Sequence, residues 1–435
     1  MNLFDLSLRL SGYPIKAARE QLQSLHGQNA EEHNSYTERQ KFEIAQYHLE
    51  NNRFYQNFTG ITEINSWESL PILRKPNLQL PYESLLSSGF KKQNIYLGKT
   101  SGSSGEPFIF AKDKWCHALS WASFYLHYKS RNIDLSGDRQ ARFYGIPLRG
   151  KLKYVEIFKD FVANRSRFPV FDLSTRTFEN SLAKFEKTPF SYINGYTSSI
   201  LLFTKFLRDK NIILKDCCPS LKGCIVTSEM LFENDRLFLN HQLGVPIINE
   251  YGASEAGLIG FENDRNQLII DEKLLFVEVV DDAGKSLPYG EKGNILITSL
   301  YNKAQPFIRY AIGDLGILDR DKESGKLYFK KLSGRNNDNV KLPNGTTLPG
   351  LAFYYITKTA METSANVKEF VAAQTSLKAI EIIYVSDRPL NAKEKNNVGK
   401  AVRDYLGGEF HTSYKQVETL KRGNNGKLKQ FICLV

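Results

Sequence analysis

Between residues 140 and 250, short apolar runs alternate with amphipathic stretches of helical spacing, and that rhythm limits the folds open to the chain. The runs cover residues 140–145, 190–194, 223–228 and 245–250, and residues 198–209 and 233–242 between them repeat apolar positions at helical intervals. A strand buried on both faces reads as a continuous apolar run, and reaching a parallel neighbour requires a crossover about as long as a helix. The segment therefore predicts a mixed or parallel sheet covered by helices, an α/β architecture. Upstream, Ile15, Leu22 and Leu25, then Phe42, Ile44, Tyr47 and Leu49, predict helices in the first fifty residues.

After residue 268 the pattern becomes β-rich, with a strand over 276–280, a turn over 281–284 and a returning strand over 293–300. It changes again past Gly334. Helix over 351–363, strands over 367–374 and 379–385, helix over 392–406 and strand over 412–417 make a compact α+β layer. The turn-rich stretch 333–339 marks the boundary, giving an N-terminal domain of residues 1–334 and a small C-terminal domain of 335–435.

Composition excludes several classes. With 41% hydrophobic and 24% charged residues over 435 positions, the chain matches a folded globular protein and not a disordered one. No apolar run approaches the ~20 residues that span a bilayer, so no membrane span is expected. The opening Met1-Asn2-Leu3-Phe4-Asp5-Leu6 has neither a basic leader nor a cleavable apolar stretch. Cys116, Cys217, Cys218, Cys224 and Cys433 are odd in number and two are adjacent, which suits reduced thiols in the cytoplasm better than a disulfide framework. No cysteine or histidine cluster has metal-ligand spacing, so no zinc is expected. The net charge of +11 leans toward anionic partners. Nucleic acid is the rival class, but no nucleic-acid-binding motif is present, and none is expected as a partner.

Five short segments could carry chemistry. In Thr100-Ser101-Gly102-Ser103-Ser104-Gly105, hydroxyls and backbone N–H groups can converge on phosphate oxygens, with glycine permitting close approach. The segment lacks the Gly-Lys-Ser/Thr ending of a P-loop, and strands flank it on both sides; alone it also fits a surface turn. In Tyr251-Gly252-Ala253-Ser254-Glu255, the tyrosine offers a flat face to a purine, Ser254 a phosphate contact, and Glu255 a hard oxygen ligand for Mg²⁺. Asp314, after Gly313, can accept hydrogen bonds from vicinal ribose hydroxyls. Gly334-Arg335 sits on the domain boundary, and Gly426-Lys427 carries a lysine able to neutralise phosphate charge.

Taken in order, these segments resemble the adenylate-forming superfamily of acyl-CoA synthetases, adenylation domains and luciferases, over residues 98–427. Ile308-Arg309-Tyr310 and Asn194-Gly195-Tyr196-Thr197 look most like the phenylacetate–CoA ligase and capsule-biosynthesis (CapK-like) branch, and Leu342-Pro343-Asn344-Gly345 favours its CapK-like side. The resemblance implies a large N-terminal domain of several subdomains, with mixed sheets and a β-rich portion, and a small mobile α+β C-terminal domain. It assigns Thr100, Ser101, Gly102, Ser103, Ser104 and Gly105 to the ATP phosphates and Tyr251 with Gly252 to adenine. Ser254 and Glu255 go to phosphate and Mg²⁺, Asp314 and Arg335 to the ribose, and Ser228 and Glu229 to the adenine-pocket turn. Lys427 would bridge carboxylate and α-phosphate. Glu106 stands where the loop often has lysine, and Asn337 replaces the usual hinge aspartate.

The implied reaction is ATP- and Mg²⁺-dependent activation of a carboxylic acid as an acyl-adenylate with release of pyrophosphate, followed by transfer to coenzyme A. An amine or sugar acceptor is the alternative on the CapK-like side. Tyr144, Gly195 and Tyr196 are candidate walls of the acid pocket, and their aromatic character suggests an apolar or aromatic wall. The basic residues Arg149, Lys151, Lys153, Lys159, Arg165 and Arg167 could meet an anionic acceptor or form a solvated basic face.

Overall fold

The computed structural model describes residues 3–25, 30–99, 108–144, 151–170, 175–335, 339–345, 347–349, 367–406, 410–422 and 428–435. The strands, in chain order, are β1 Leu73–Arg74, β2 Ile95–Lys99, β3 Ile109–Asp113, β4 Gln140–Phe143, β5 Arg165–Phe168, β6 Tyr192–Tyr196, β7 Gly223–Thr227, β8 Ile247–Ala253, β9 Gly257–Glu262 and β10 Leu268–Ile270. They continue with β11 Leu275–Val280, β12 Lys292–Ser299, β13 Tyr310–Arg320, β14 Leu327–Arg335, β15 Asn339–Lys341, β16 Thr347–Pro349, β17 Val367–Ser376, β18 Ala379–Ser386, β19 His411–Gln416 and β20 Phe431–Cys433.

The chain divides into two compact units, one of Met1–Ile312 with Gly316–Lys331 and one of Gly313–Leu315 with Leu332–Val435. A mixed sheet runs in the order β11-β12-β13-β14-β10-β9-β8-β7-β6-β4-β5, with β1 paired to β13. The alternating segment behaves as its pattern predicts. β5, β4, β6, β7 and β8 are mutually parallel, and β8 turns back into antiparallel β9. The flanks of the Ser/Gly segment form an antiparallel hairpin of β2 and β3. Gly313, at φ +90°, and Asp314 lie within β13.

One face of the parallel strands is apolar. Ala141 and Phe143, Ile193, and Cys224 and Val226 pack with Phe168, Phe185, Phe190 and Phe203 into one buried cluster. Helices Thr175–Lys187, Thr197–Asp209 and Glu233–Leu243 contribute to that cluster. Phe143 stacks on Phe168 at 4.8 Å, and a Cβ on Gly195 would come within 2.5 Å of the Phe143 backbone oxygen. Gly195 thus lets β4 and β6 approach, on the apolar face. This packing requires glycine at 195 whatever its place beside the acid.

In the β-rich portion the anchor is Arg309, fully buried at φ +45°. Its guanidinium donates to Glu278 Oε1 at 3.0 Å and to the carbonyls of Glu68, Leu70 and Gly284. Trp67 Nε1 donates to the other oxygen of Glu278 at 2.6 Å. A buried ion pair with every donor used fixes geometry more than it adds stability. In the C-terminal unit, β17–β20 form a sheet in the order β19-β18-β17-β20, packed against helix Ala392–Leu406. The helix expected over 351–363 lies outside the described residues.

Candidate active site

In a doubly wound sheet, ligands bind beyond the carboxyl ends of the strands, where connections leave in opposite directions. Here the chain goes from β4 outward to β5, returns to the other side of β4 as β6, and continues through β7 to β8. The switch point lies between the carboxyl ends of β4 and β6. Tyr144 and Tyr196 meet there with ring centroids 4.5 Å apart.

Strand alternation and register set what else lines this face. Arg142 is opposite Arg167 and Asn194, Tyr196 opposite Thr227, and Thr227 opposite Glu250. This face mixes these polar residues with the apolar Tyr192, Ile225 and Ile248, where the opposite face is apolar throughout its buried cluster. Gln140 donates to Asn194 Oδ1 at 3.2 Å, and Tyr128 to Glu250 Oε2 at 2.7 Å. Burial pushes the Glu250 carboxyl up, with the bonds from Tyr128 and Thr227 opposing.

The helix Lys151–Val162 covers the outer arginines in an inverted sense. Asp160 accepts from Arg165 at 2.6 Å and Arg167 at 2.9 Å, and Glu156 from Arg167 at 2.9 Å, while Tyr154, Phe158 and Phe161 face solvent. Lys159 pairs with Glu156 as well. Of the basic cluster read from the sequence, Lys159, Arg165 and Arg167 are thus paired internally. Arg149 lies outside the described residues, as do the side chains of Lys151 and Lys153.

The β8–β9 turn carries the second group. Tyr251 meets Phe329 edge-on at 5.4 Å, and Ser254 is exposed. A Cβ on Gly252 would lie 2.7 Å from the Gly257 carbonyl, so glycine is needed for the strands to close. Glu255 is buried at 8% exposure and accepts from the Tyr310 hydroxyl at 3.1 Å through Oε1. Lys112, 3% exposed on β3, acts electrostatically on Glu255, and burial lowers its ammonium pKa. A Cβ on Gly257 would lie 3.6 Å from Lys112 Nζ, which places the amine behind this turn.

At the end of β7, Ser228 is exposed and left-handed at φ +70°. Glu229 accepts from Ser198 N at 2.7 Å and Ser198 Oγ at 3.1 Å, so its carboxylate satisfies the N-terminus of helix Thr197–Asp209. Asp314 is half-buried on β13, and Arg335 ends β14. The side chain of Arg335, the segment Thr100, Ser101, Gly102, Ser103, Ser104 and Gly105, and Lys427 lie outside the described residues.

Tyr144, Tyr196, Ser228, Tyr251 and Glu255 thus follow the carboxyl edge of the parallel strands or the turn just beyond it. Sequence reasoning missed Arg142, Lys112 and the positioning tyrosine Tyr310. The period-two series Gln140, Arg142, Tyr144 was the available signal for a polar sheet face.

Among known proteins the chain is similar to Protein CapK of Staphylococcus aureus, 22% identical over 409 residues, covering 92% of this chain and 86% of that one. It is also 22% identical to indoleacetate–lysine synthetase of Pseudomonas savastanoi over 362 residues, 81% and 85% of the two chains. A phenylacetate–coenzyme A ligase of Thermus thermophilus is 36% identical over 104 residues, 23% of each chain. The crystal structure of 2-hydroxyisobutyryl-CoA ligase in the postadenylation state superposes with TM-score 0.70 at 16% identity, covering 93% and 90% of the two chains. The amide bond synthetase McbA of Marinactinospora thermotolerans superposes with TM-score 0.52 at 15% identity, covering 77% and 68%. No family model matches the chain. No helix among the described residues is long and apolar enough to cross a membrane.

Proposed function

The chain belongs to the adenylate-forming superfamily, and from that premise we propose that it activates a carboxylic acid with ATP at the carboxyl edge of β4, β6, β7 and β8. A carboxylate oxygen of the acid attacks the α-phosphorus, the bond to the bridging oxygen breaks, and pyrophosphate leaves. The attacking carboxylate is already ionised, so no general base is required.

The observation that carries this reading is the Glu255 turn. Glu255 is buried, its Oε1 is held by Tyr310, and its Oε2 accepts no hydrogen bond among the described residues. One preorganised carboxylate oxygen suits Mg²⁺, which binds through one or two carboxylates plus substrate phosphates. Among the described residues no group of three His, Cys, Asp or Glu forms a metal cage, and this mode needs none. Bound there with ATP, the ion would neutralise charge building on the phosphates.

The residues divide the remaining work. Tyr251 offers its ring to adenine, Ser228 and Ser254 offer hydroxyls, and Tyr144 and Tyr196 border the acid. From the motif match we assign residues 100–105 to the phosphates, Asp314 and Arg335 to the ribose, and Lys427 to the charge on the α-phosphate.

Coenzyme A is the acceptor we favour, its thiolate displacing AMP from the acyl group. An amine or sugar acceptor is the second reading. It is favoured by the extent of the matches to CapK and indoleacetate–lysine synthetase, 92% and 81% of the chain, against 23% for the phenylacetate–coenzyme A ligase.

Acid-dependent pyrophosphate release, measured on wild type and Glu255→Gln, tests the first half-reaction. Removing the carboxylate should slow it by about 10²–10³. Undiminished release in a folded Glu255→Gln protein would overturn the assignment. Lys427→Ala should lose the same step while retaining transfer from a supplied acyl-adenylate to coenzyme A or an amine.

A further inference from the structure

A sheet covered on both faces is ordinarily apolar on both, because a buried polar group without a partner is destabilising. Between β5 and β8 one face departs from that rule, carrying Arg165, Arg167, Gln140, Arg142, Asn194, Thr227 and Glu250 beside the apolar Tyr192, Ile225 and Ile248. Most of these polar groups are matched within the protein. Asp160 and Glu156 take Arg165 and Arg167, Asn194 takes Gln140, and Tyr128 and Thr227 hold Glu250.

Arg142 has no such hydrogen-bonded partner among the described residues, and the Glu250 carboxylate acts on it only through its charge. Its guanidinium lies over the Tyr144 ring, Cζ 4.1 Å from the centroid, and it donates no hydrogen bond among the described residues. Its Nε is buried and has no hydrogen-bond partner. Arg142 is the third of the four residues of β4, two positions before Tyr144, and therefore stands just inside the switch point where Tyr144 and Tyr196 meet. An arginine presents a rigid fork suited to a carboxylate.

We propose that Arg142 binds a second carboxylate on the acid, distal to the one that is activated, so that the substrate class is a dicarboxylic acid. The inference rests on the adenylation reading and deepens it. Tyr144 orients the guanidinium from one side, and the neighbouring pairs of Arg165 and Arg167 with Asp160 keep the acids of helix Lys151–Val162 engaged elsewhere. A monocarboxylic acid of the same length would leave the guanidinium with no hydrogen-bonded carboxylate, although Glu250 attracts it through its charge. Discrimination by a site built to pair with a polar group is strong, because the analogue lacking the group leaves the site unsatisfied.

The test uses the full chain and pairs of acids equal in carbon count, pentanoate with glutarate, hexanoate with adipate, and methylbenzoate with terephthalate. In at least one pair the diacid should exceed its partner in kcat/KM for pyrophosphate release by about tenfold or more. Arg142→Met, which keeps side-chain length without charge, should erase that preference, and Arg142→Lys should restore part of it. Monoacids equal to or better than diacids in every pair, or a preference that survives Arg142→Met, would overturn the proposal and leave adenylation standing. Release with no acid would count against the adenylation reading instead. In that case calorimetry with the same diacids decides: binding to wild type that is lost in Arg142→Met upholds the anchor, and absent or equal binding overturns it.

Discussion

The hydroxyl of Tyr310 donates to Glu255 Oε1 at 3.1 Å, tying two segments that lie 55 residues apart in sequence. Tyr310 is 2% exposed, and its ring meets Phe307 edge-on at 5.3 Å, so the phenol has little freedom to turn away. Tyr310→Phe keeps that packing and removes the hydroxyl from which Glu255 accepts. We expect a several-fold higher Mg²⁺ requirement for pyrophosphate release with little change in melting temperature. An unchanged Mg²⁺ titration would show that Glu255 is oriented by other contacts.

Arg309, one residue earlier, serves the fold. Its pair with Glu278 is almost wholly buried, at 2% and 4% side-chain exposure. Arg309→Met leaves a buried carboxylate with only Trp67 as partner and should destabilise the protein by about 3–5 kcal/mol. Adding Glu278→Gln removes the orphaned charge, so denaturant titration of the double variant should show less loss than the two single losses added together. Simple additivity would mean the two groups do not depend on each other.

β4, β6, β7 and β8 were legible because each falls in a short run bounded by helical spacing, and the Tyr251–Glu255 turn because its residues are contiguous, whereas β5, with arginine at alternate positions, was not read as a strand. Contacts between distant segments were not legible. Nothing local in Ile308-Arg309-Tyr310 says that one side chain reaches Glu278 and the next reaches Glu255. Arg142 was hidden differently. The run over 140–145 reads as apolar, yet its alternate residues face a polar layer whose acids come from helix Lys151–Val162. The packing demand on Gly195 was hidden as well, since a glycine in a site-like motif also answers to the Phe143 backbone.

His48 gives the fold a predictable acid sensitivity. It is fully buried, its Nε2 is 2.8 Å from the Asn302 carbonyl and its Nδ1 is 3.2 Å from Ser87 Oγ, and burial lowers its pKa to about 4. The unfolded chain, with a histidine pKa of about 6.5, binds the proton first. Its contribution is therefore complete above pH ~6.5 and is lost as pH falls toward about 4, amounting to about 3 kcal/mol. His117, lowered to about 3, acts with the same sign. Urea titrations at stepped pH should show stability falling through this window, with a shallower slope in His48→Gln. An unaltered slope in that variant would assign the acid sensitivity to His117 and the paired carboxylates.

Ser228 allows backbone strain and side-chain chemistry to be separated. It follows Thr227 of the polar face and precedes Glu229, whose carboxylate is held at Ser198 N and Oγ, so packing on both sides sets its φ of +70°. A left-handed conformation costs a non-glycine residue about 1–2 kcal/mol, part of which glycine gives back through its greater freedom when unfolded. Ser228→Gly should therefore gain up to about 1 kcal/mol in stability. Ser228→Ala keeps the strain and should gain nothing. If the hydroxyl contacts the nucleotide, both variants raise the KM for ATP together, and only the glycine variant melts later. A glycine variant that is no more stable, with ATP kinetics unchanged in both, would show that neither the strain nor the hydroxyl at Ser228 serves the reaction.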